Sequence, residues 1–266
     1  MIIKKLAGFF ASVNNLHEPL LRNGLWPINN NNIHFSTGAL GVFYQAGIAK
    51  FLKERYDTES YRFSGVSAGA WCATLLASNI TPVQMDETLG NLSLAVENSD
   101  KFWVEGPFIA KDIIWSQNID IDFSRLQIGI TQFTPWPNKN YVYEFTNTED
   151  VLDACIASSH IPLLSGRVAT IYKETYSMDG AIMGHNPPKG NYILDFSPDI
   201  WGRVYTNDIL FTFDAQNMLK MYNDGYEDTK HMKKCLDQLI AKKPKKKKEN
   251  KTKRNTIFSP RGWPLM

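Results

Sequence analysis

The feature that most constrains this chain is a pattern written twice between residues 33 and 78: a short apolar run, a turn of small residues, then a stretch at helical spacing. Ile33 to Phe35 is the first strand candidate. Ser36-Thr-Gly-Ala-Leu-Gly41 is the turn, and Val42 to Arg55 is the helix, with Phe43, Ala46, Gly47, Ala49 and Phe51 at helical spacing. Tyr61-Arg-Phe63 then leads through Ser64-Gly-Val-Ser-Ala-Gly69 into a small-residue helix from Ala70 to Ser78. Strand, turn and helix repeated in this order predict an α/β fold with a mostly parallel sheet and helices packed on its faces.

The remainder reads more coarsely. From Leu89 to Asn140 no clean period is visible in a stretch rich in Trp, Phe and Pro, and the expectation there is irregular structure. Tyr141 to Phe145 reads as a strand, and Asn147-Thr-Glu-Asp150 supplies helix-start chemistry for a helix through Ile156. Arg167 to Tyr176 is a further strand candidate that delivers Met178-Asp179-Gly180 at its end, and the end of the segment from 205 to 241 looks helical. Residues 33–205 are thus expected to form the main domain and 206–241 its helical C-terminal part. Residues 1–32 form an N-terminal extension closed by Asn29 to Asn32, and 242–266 a basic, disordered tail. The extension reads as a surface segment or an interfacial anchor. As a signal peptide it lacks a long apolar region and a clean cleavage site.

Composition narrows the class. A chain of 266 residues buries enough surface to need no disulfide staples. Its three cysteines, Cys72, Cys155 and Cys235, are scattered without CxxC or zinc spacing, which fits reduced thiols in an intracellular protein. The early apolar run Leu6 to Val13 falls far short of the ~18 residues of a spanning helix, so no transmembrane segment is expected. The overall charge of +2 is uneven: between Lys242 and Arg254 nine basic residues stand against Glu249 alone, leaving the rest of the chain at −6. A mildly acidic body with a basic tail is not the uniform basic surface of a nucleic-acid binder, and no nucleic acid is expected as a partner.

Gly65-Val66-Ser67-Ala68-Gly69 has the spacing of a nucleophile elbow, where Gly65 and Gly69 give the serine turn room. Ser67 would sit at a helix N-terminus, which favours developing negative charge. A serine needs a base. His160, His185 and His231 follow it in the chain, but none lies in a motif that marks a triad member, although a hydrolase using His185 remains a reading of the residues. Asp179 is better placed, because it ends a strand, precedes Gly180 and would lie at the same edge of a parallel sheet as the serine turn. The turn from Ser36 to Gly41 offers backbone N–H groups to an oxyanion, or is any strand-to-helix turn; it lacks the glycines of a dinucleotide loop.

Four segments in order resemble the patatin-like phospholipase family: Phe35 to Gly47, Arg62 to Ala70, Ala154 to Pro162, and Tyr176 to Ala181 with Asn186-Pro-Pro188. The resemblance implies a three-layer α/β/α fold and a lipid acyl hydrolase that cuts carboxylic esters through a serine–aspartate dyad, with no cofactor or metal. By position it implies Ser67 as nucleophile and Asp179 as proton acceptor, with Gly180 and Ala181 in the aspartate loop and the amides of Thr37, Gly38 and Ala39 as oxyanion hole. Two departures stand out. Ser36 and Thr37 replace the usual consecutive glycines, which distorts the hole if positive φ is required there, and Asn186 falls one residue late, with His185 in its place. A catalytically weak member that binds lipid or a protein partner is the alternative. On the main reading the partner is a lipid substrate, and the aromatic stretch from Phe102 to Trp136 is buried core or an acyl-chain wall. The lysine tail would hold the enzyme peripherally at an anionic membrane or lipid-droplet surface, although Lys245 to Lys248 equally fit a nuclear-import signal.

Overall fold

A computed structural model describes residues 31–183, 194–196 and 212–242. The strands among them form one mixed sheet. β1 (Asn32–Phe35), β2 (Arg62–Val66) and β3 (Leu126–Phe133) run parallel in adjacent positions, with β7 (Leu194–Phe196) parallel on the far side of β1. β4 (Pro137–Val142), β5 (Thr170–Tyr172) and β6 (Thr175–Asp179) form the antiparallel part. The doubled strand–turn–helix pattern is therefore present, and its second strand runs on through Val66 to the serine.

Helices follow from the same pattern. α1 (Val42–Arg55) and α2 (Ala68–Ala77) are the two crossovers, and α2 lies directly against β1, β2 and β3. It touches the face that carries Ile33, Phe35, Phe63, Leu126, Ile128 and Ile130, all buried. α3 (Pro82–Glu97) and α4 (Phe102–Ser116) follow, then α5 (Thr148–Ser158) against β3 and β6. The C-terminal α6 (Ala215–His231) packs along α1, and the short α7 (Lys233–Leu239) is the last helix described.

Two expectations need correction. The stretch from Leu89 to Asn140 is ordered, holding the end of α3, all of α4, β3 and most of β4. Its period is blurred because α4 is apolar on more than one side: Phe102, Trp103, Gly106, Pro107, Ala110 and Ile114 line a cavity while Val104, Phe108 and Trp115 are exposed. A usable signal lay at the start of α3, where Thr81 and Gln84 form a capping box around Pro82. The second correction concerns direction. The segment 167–176 begins as loop and then makes a hairpin, with Lys173 and Glu174 both at positive φ as a two-residue turn requires, so β6 runs antiparallel to β3. The expected extension, the tail beyond Lys242 and the segment holding His185 and Asn186 lie outside the described residues.

Candidate active site

The candidate site is built where two strand ends meet on one edge of β3. β4 covers the other edge, pairing from Ile128 to Phe133. On the shared edge β2 runs parallel until Val66 pairs with Gly129, and β6 comes from the opposite end until Asp179 pairs with Ile130. The residue after Val66 is Ser67, so serine and aspartate are brought head to head by register alone. Ser67 Oγ donates a hydrogen bond to Asp179 Oδ2 at 2.6 Å. Antiparallel entry of β6 is what makes this contact.

The serine turn is tight. Ser67 has φ 56° and ψ −123°, a backbone that non-glycine residues adopt only when their surroundings enforce it. Its amide donates to Ser158 Oγ at 2.8 Å, and that hydroxyl donates in turn to the Gly129 carbonyl at 2.7 Å. Ser158, at the end of α5, thus ties the elbow to β3. The flanking glycines are required by space: a Cβ on Gly65 would lie 2.1 Å from the Gly69 carbonyl oxygen, and one on Gly69 would lie 2.1 Å from the Phe35 carbonyl oxygen. The end of β1 and the elbow are in backbone contact.

The aspartate is held equally firmly. Asp179 is wholly buried, its Oδ1 accepts from the Ala181 amide at 2.8 Å, and its carbonyl accepts from Thr131 Oγ1 at 2.9 Å. Its amide donates to the His160 carbonyl. Gly180 is obligatory, since a Cβ there would meet the Gly129 carbonyl oxygen at 2.3 Å. One carboxylate oxygen is therefore fixed by backbone and the other points at the serine.

The turn after β1 lies beside this pair. Gln45 Nε2 donates to the Ser36 carbonyl at 2.8 Å, and the Gly41 amide closes the turn on the Gly38 carbonyl at 2.6 Å. Positive φ occurs at Ala39, at 48°, while Ser36 and Thr37 keep ordinary negative φ and Gly38 is extended at −173°. Serine and threonine at the first two places thus impose no left-handed strain there. Ala39 reaches the cavity that Ser67 lines, and Thr37 is buried.

That cavity runs from Ser67 between α1, α2, α3 and α4, with Trp71, Leu75, Leu89, Leu92, Phe102 and Ile114 among its walls. It holds about 90 Å³, several times the ~10–15 Å³ that one water requires. The aromatic stretch supplies part of this wall through Phe102 and Trp103. His160 does not face the serine: it is buried with Nε2 against the Arg167 carbonyl, and burial lowers its pKa below that of free imidazole. His231 ends α6, and His185 lies outside the described residues. Sequence reasoning gave no role to Ser158 or Thr131. Ser158 stood inside the segment Ala154 to Pro162, but the partners that give it meaning are 91 and 29 residues away.

A serine on a strand-to-helix elbow, hydrogen-bonded to a buried aspartate beside an apolar cavity, marks the centre of this α/β fold. The family model for patatin-like phospholipases matches residues 35–192, and the chain belongs to that family. Among curated proteins it is similar to the human "Omega-hydroxyceramide transacylase", 28% identical over 177 residues, and to the protein of that name from Mus musculus, 24% identical over 176 residues. Each match covers 60% of this chain, which spans about a third of those relatives, 32% and 28% of their length. The fold is similar to that of VipD from Legionella pneumophila, with a TM-score of 0.51 and 12% identity over 82% of this chain and 68% of that one.

Proposed function

We infer that the protein is a lipid acyl hydrolase in which Ser67 and Asp179 form the catalytic dyad. The observation that carries this reading is the 2.6 Å hydrogen bond from Ser67 Oγ to a buried carboxylate at the mouth of an apolar cavity. Ser67 Oγ attacks the ester carbonyl while its proton passes to Asp179 Oδ2, and negative charge collects on the carbonyl oxygen. The amides of Thr37, Gly38 and Ala39 stabilise that oxyanion, worth about 2.7–4 kcal/mol for each good donor. The leaving alkoxide takes the proton back from Asp179, which frees the alcohol and leaves an acyl-enzyme. Water then attacks, again giving its proton to Asp179, and the fatty acid departs as Ser67 recovers its hydrogen. Nothing in this sequence of steps calls on a metal or cofactor, and the enzyme is read as acting at an intracellular lipid surface.

Acyl transfer is the second reading, favoured by the two relatives being named transacylases. It differs only in the second step, where a lipid hydroxyl replaces water as the attacking group. The test is fatty-acid release from mixed phospholipid and triacylglycerol vesicles without added metal, repeated with a lipid alcohol present. Ser67→Ala and Asp179→Asn are each expected to lower turnover at least about a thousandfold. Product partition between acid and new ester separates hydrolase from transacylase. Full activity in Ser67→Ala would overturn the dyad, and a folded wild type without turnover would leave a lipid-binding protein.

A further inference from the structure

The turn between β1 and α1 is held at two of its carbonyls, by different means. The Gly38 carbonyl accepts from the Gly41 amide at 2.6 Å, a bond internal to the turn. The Ser36 carbonyl accepts from a side chain instead: Gln45, in the first turn of α1, donates from Nε2 at 2.8 Å. That same carbonyl abuts the nucleophile elbow, since a Cβ on Gly69 would lie 2.6 Å from its oxygen. Gln45 therefore grips the turn where it meets the serine's own turn. The bond between Ser36 and Thr37 is trans, and in a trans peptide the C=O and the following N–H point in opposite directions. Whatever fixes the Ser36 carbonyl also aims the Thr37 N–H.

Gln45 is wholly buried, yet it does not line the cavity, although Val42, Phe43 and Ala46 of the same helix do. Its amide orientation is forced, because the reverse would set Oε1 against the Ser36 carbonyl oxygen. Oε1 itself has no hydrogen-bond partner among the described residues. A buried glutamine with its donor engaged and its acceptor unpaired is costlier than a hydrocarbon of the same length, so packing alone does not account for it. We propose that Gln45 is a positioning residue, which orients the Thr37 amide toward the oxyanion by holding the Ser36 carbonyl. The proposal rests on the reading of Ser67 as nucleophile and of this turn as its oxyanion hole. Because Gln45 stays clear of the cavity, its removal should affect the reacting carbonyl and not the acyl chain.

The experiment uses the full chain and compares wild type with Gln45→Met, which keeps the length and loses the donor, and Gln45→Asn, which keeps the amide one methylene short. Ester hydrolysis gives kcat and KM. A long-chain alkyl trifluoromethyl ketone probes the oxyanion directly: Ser67 Oγ bonds to its carbonyl carbon, the proton passes to Asp179, and the carbonyl oxygen becomes an alkoxide. Palmitic acid probes the chain alone. Both variants should lose about 10- to 100-fold in kcat and the same factor in ketone affinity. KM and palmitate affinity should stay within about twofold of wild type. Gln45→Met sheds the unpaired oxygen together with the donor, so its Tm should stay within about 3 °C of wild type. Unchanged kcat and ketone affinity in both variants would overturn the proposal, as would a loss of kcat matched by an equal loss of palmitate affinity. Ketone binding as tight in Ser67→Ala as in wild type would instead overturn the dyad, so the two failures are distinguishable.

Discussion

At the residue scale the site is a balance between strain and anchorage. Ser67 keeps an unfavourable backbone because Ser158 holds its amide and Gly65 and Gly69 let neighbouring carbonyls approach. Two variants at Ser67 should therefore differ in stability. Glycine tolerates φ 56° where alanine does not, so Ser67→Gly is expected to melt about 2–4 °C above Ser67→Ala, read by calorimetry on the two proteins side by side. Equal melting temperatures would mean that the elbow stores no strain. Both elbow glycines and Asp179 were legible in the chain, because Gly-x-Ser-x-Gly and Asp-Gly carry their own steric logic. Ser158 and Thr131 were not. A serine near a helix end and a threonine in a strand look ordinary until Ser67, Gly129 and Asp179 arrive beside them.

At the element scale two junctions invite measurement. α1 and α6 cross with their glycines facing each other's backbone: a Cβ on Gly47 would lie 2.0 Å from the Tyr222 carbonyl oxygen, and one on Gly225 would lie 2.0 Å from the Tyr44 carbonyl oxygen. Gly47→Ala or Gly225→Ala should force the helices apart at a cost of about 2–3 kcal/mol, lowering Tm by roughly 5 °C or more in thermal unfolding. The second junction joins the first turn of α5 to the β5–β6 hairpin. Asp150 accepts from the Tyr172 hydroxyl at 2.7 Å and the Thr146 amide at 2.9 Å, and pairs with Lys173 at 2.9 Å. Burial alone would raise the carboxyl pKa, but those donors and the lysine charge together pull it below the usual aspartate value. A lowered folded pKa means that the stabilisation is complete above about pH 4 and is lost as the pH falls through the folded value. Asp150→Asn should thus lower Tm at neutral pH by about 2–6 °C and flatten the decline of Tm in acid. A wild-type slope in the variant would refute the linkage. Asn147 as helix cap was readable, since Asn147-Thr-Glu-Asp150 is start chemistry, and its Oδ1 accepts from the Asp150 amide at 2.9 Å. α4 was not readable, because a helix that is apolar toward both a cavity and the outside has no single periodic face.

At the scale of the whole molecule the charge is unevenly distributed along the chain. Among the described residues no helix is long and apolar enough to cross a membrane. The run from Lys242 to Arg254 carries +8 while the rest of the chain carries −6. Each lysine near an anionic surface adds about 1 kcal/mol, and salt screens it within a Debye length. Truncation after Lys243 should weaken sedimentation with anionic vesicles by at least tenfold at low salt and leave neutral vesicles unaffected. An unchanged anionic affinity would remove the tail from lipid recruitment. What the sequence by itself determined is whatever depends on neighbours along the chain: the two strand–turn–helix units, the tight serine turn, the glycine after the aspartate and the charge of the tail. Only the tertiary structure decided what depends on meetings across it. Those meetings are the antiparallel entry of β6 that sets Asp179 against Ser67, the Ser158 bridge, and the cavity walled by α3 and α4. The reason is physical: turn sterics act over a few residues, whereas strand register and cavity shape are fixed by the packing of segments about a hundred positions apart.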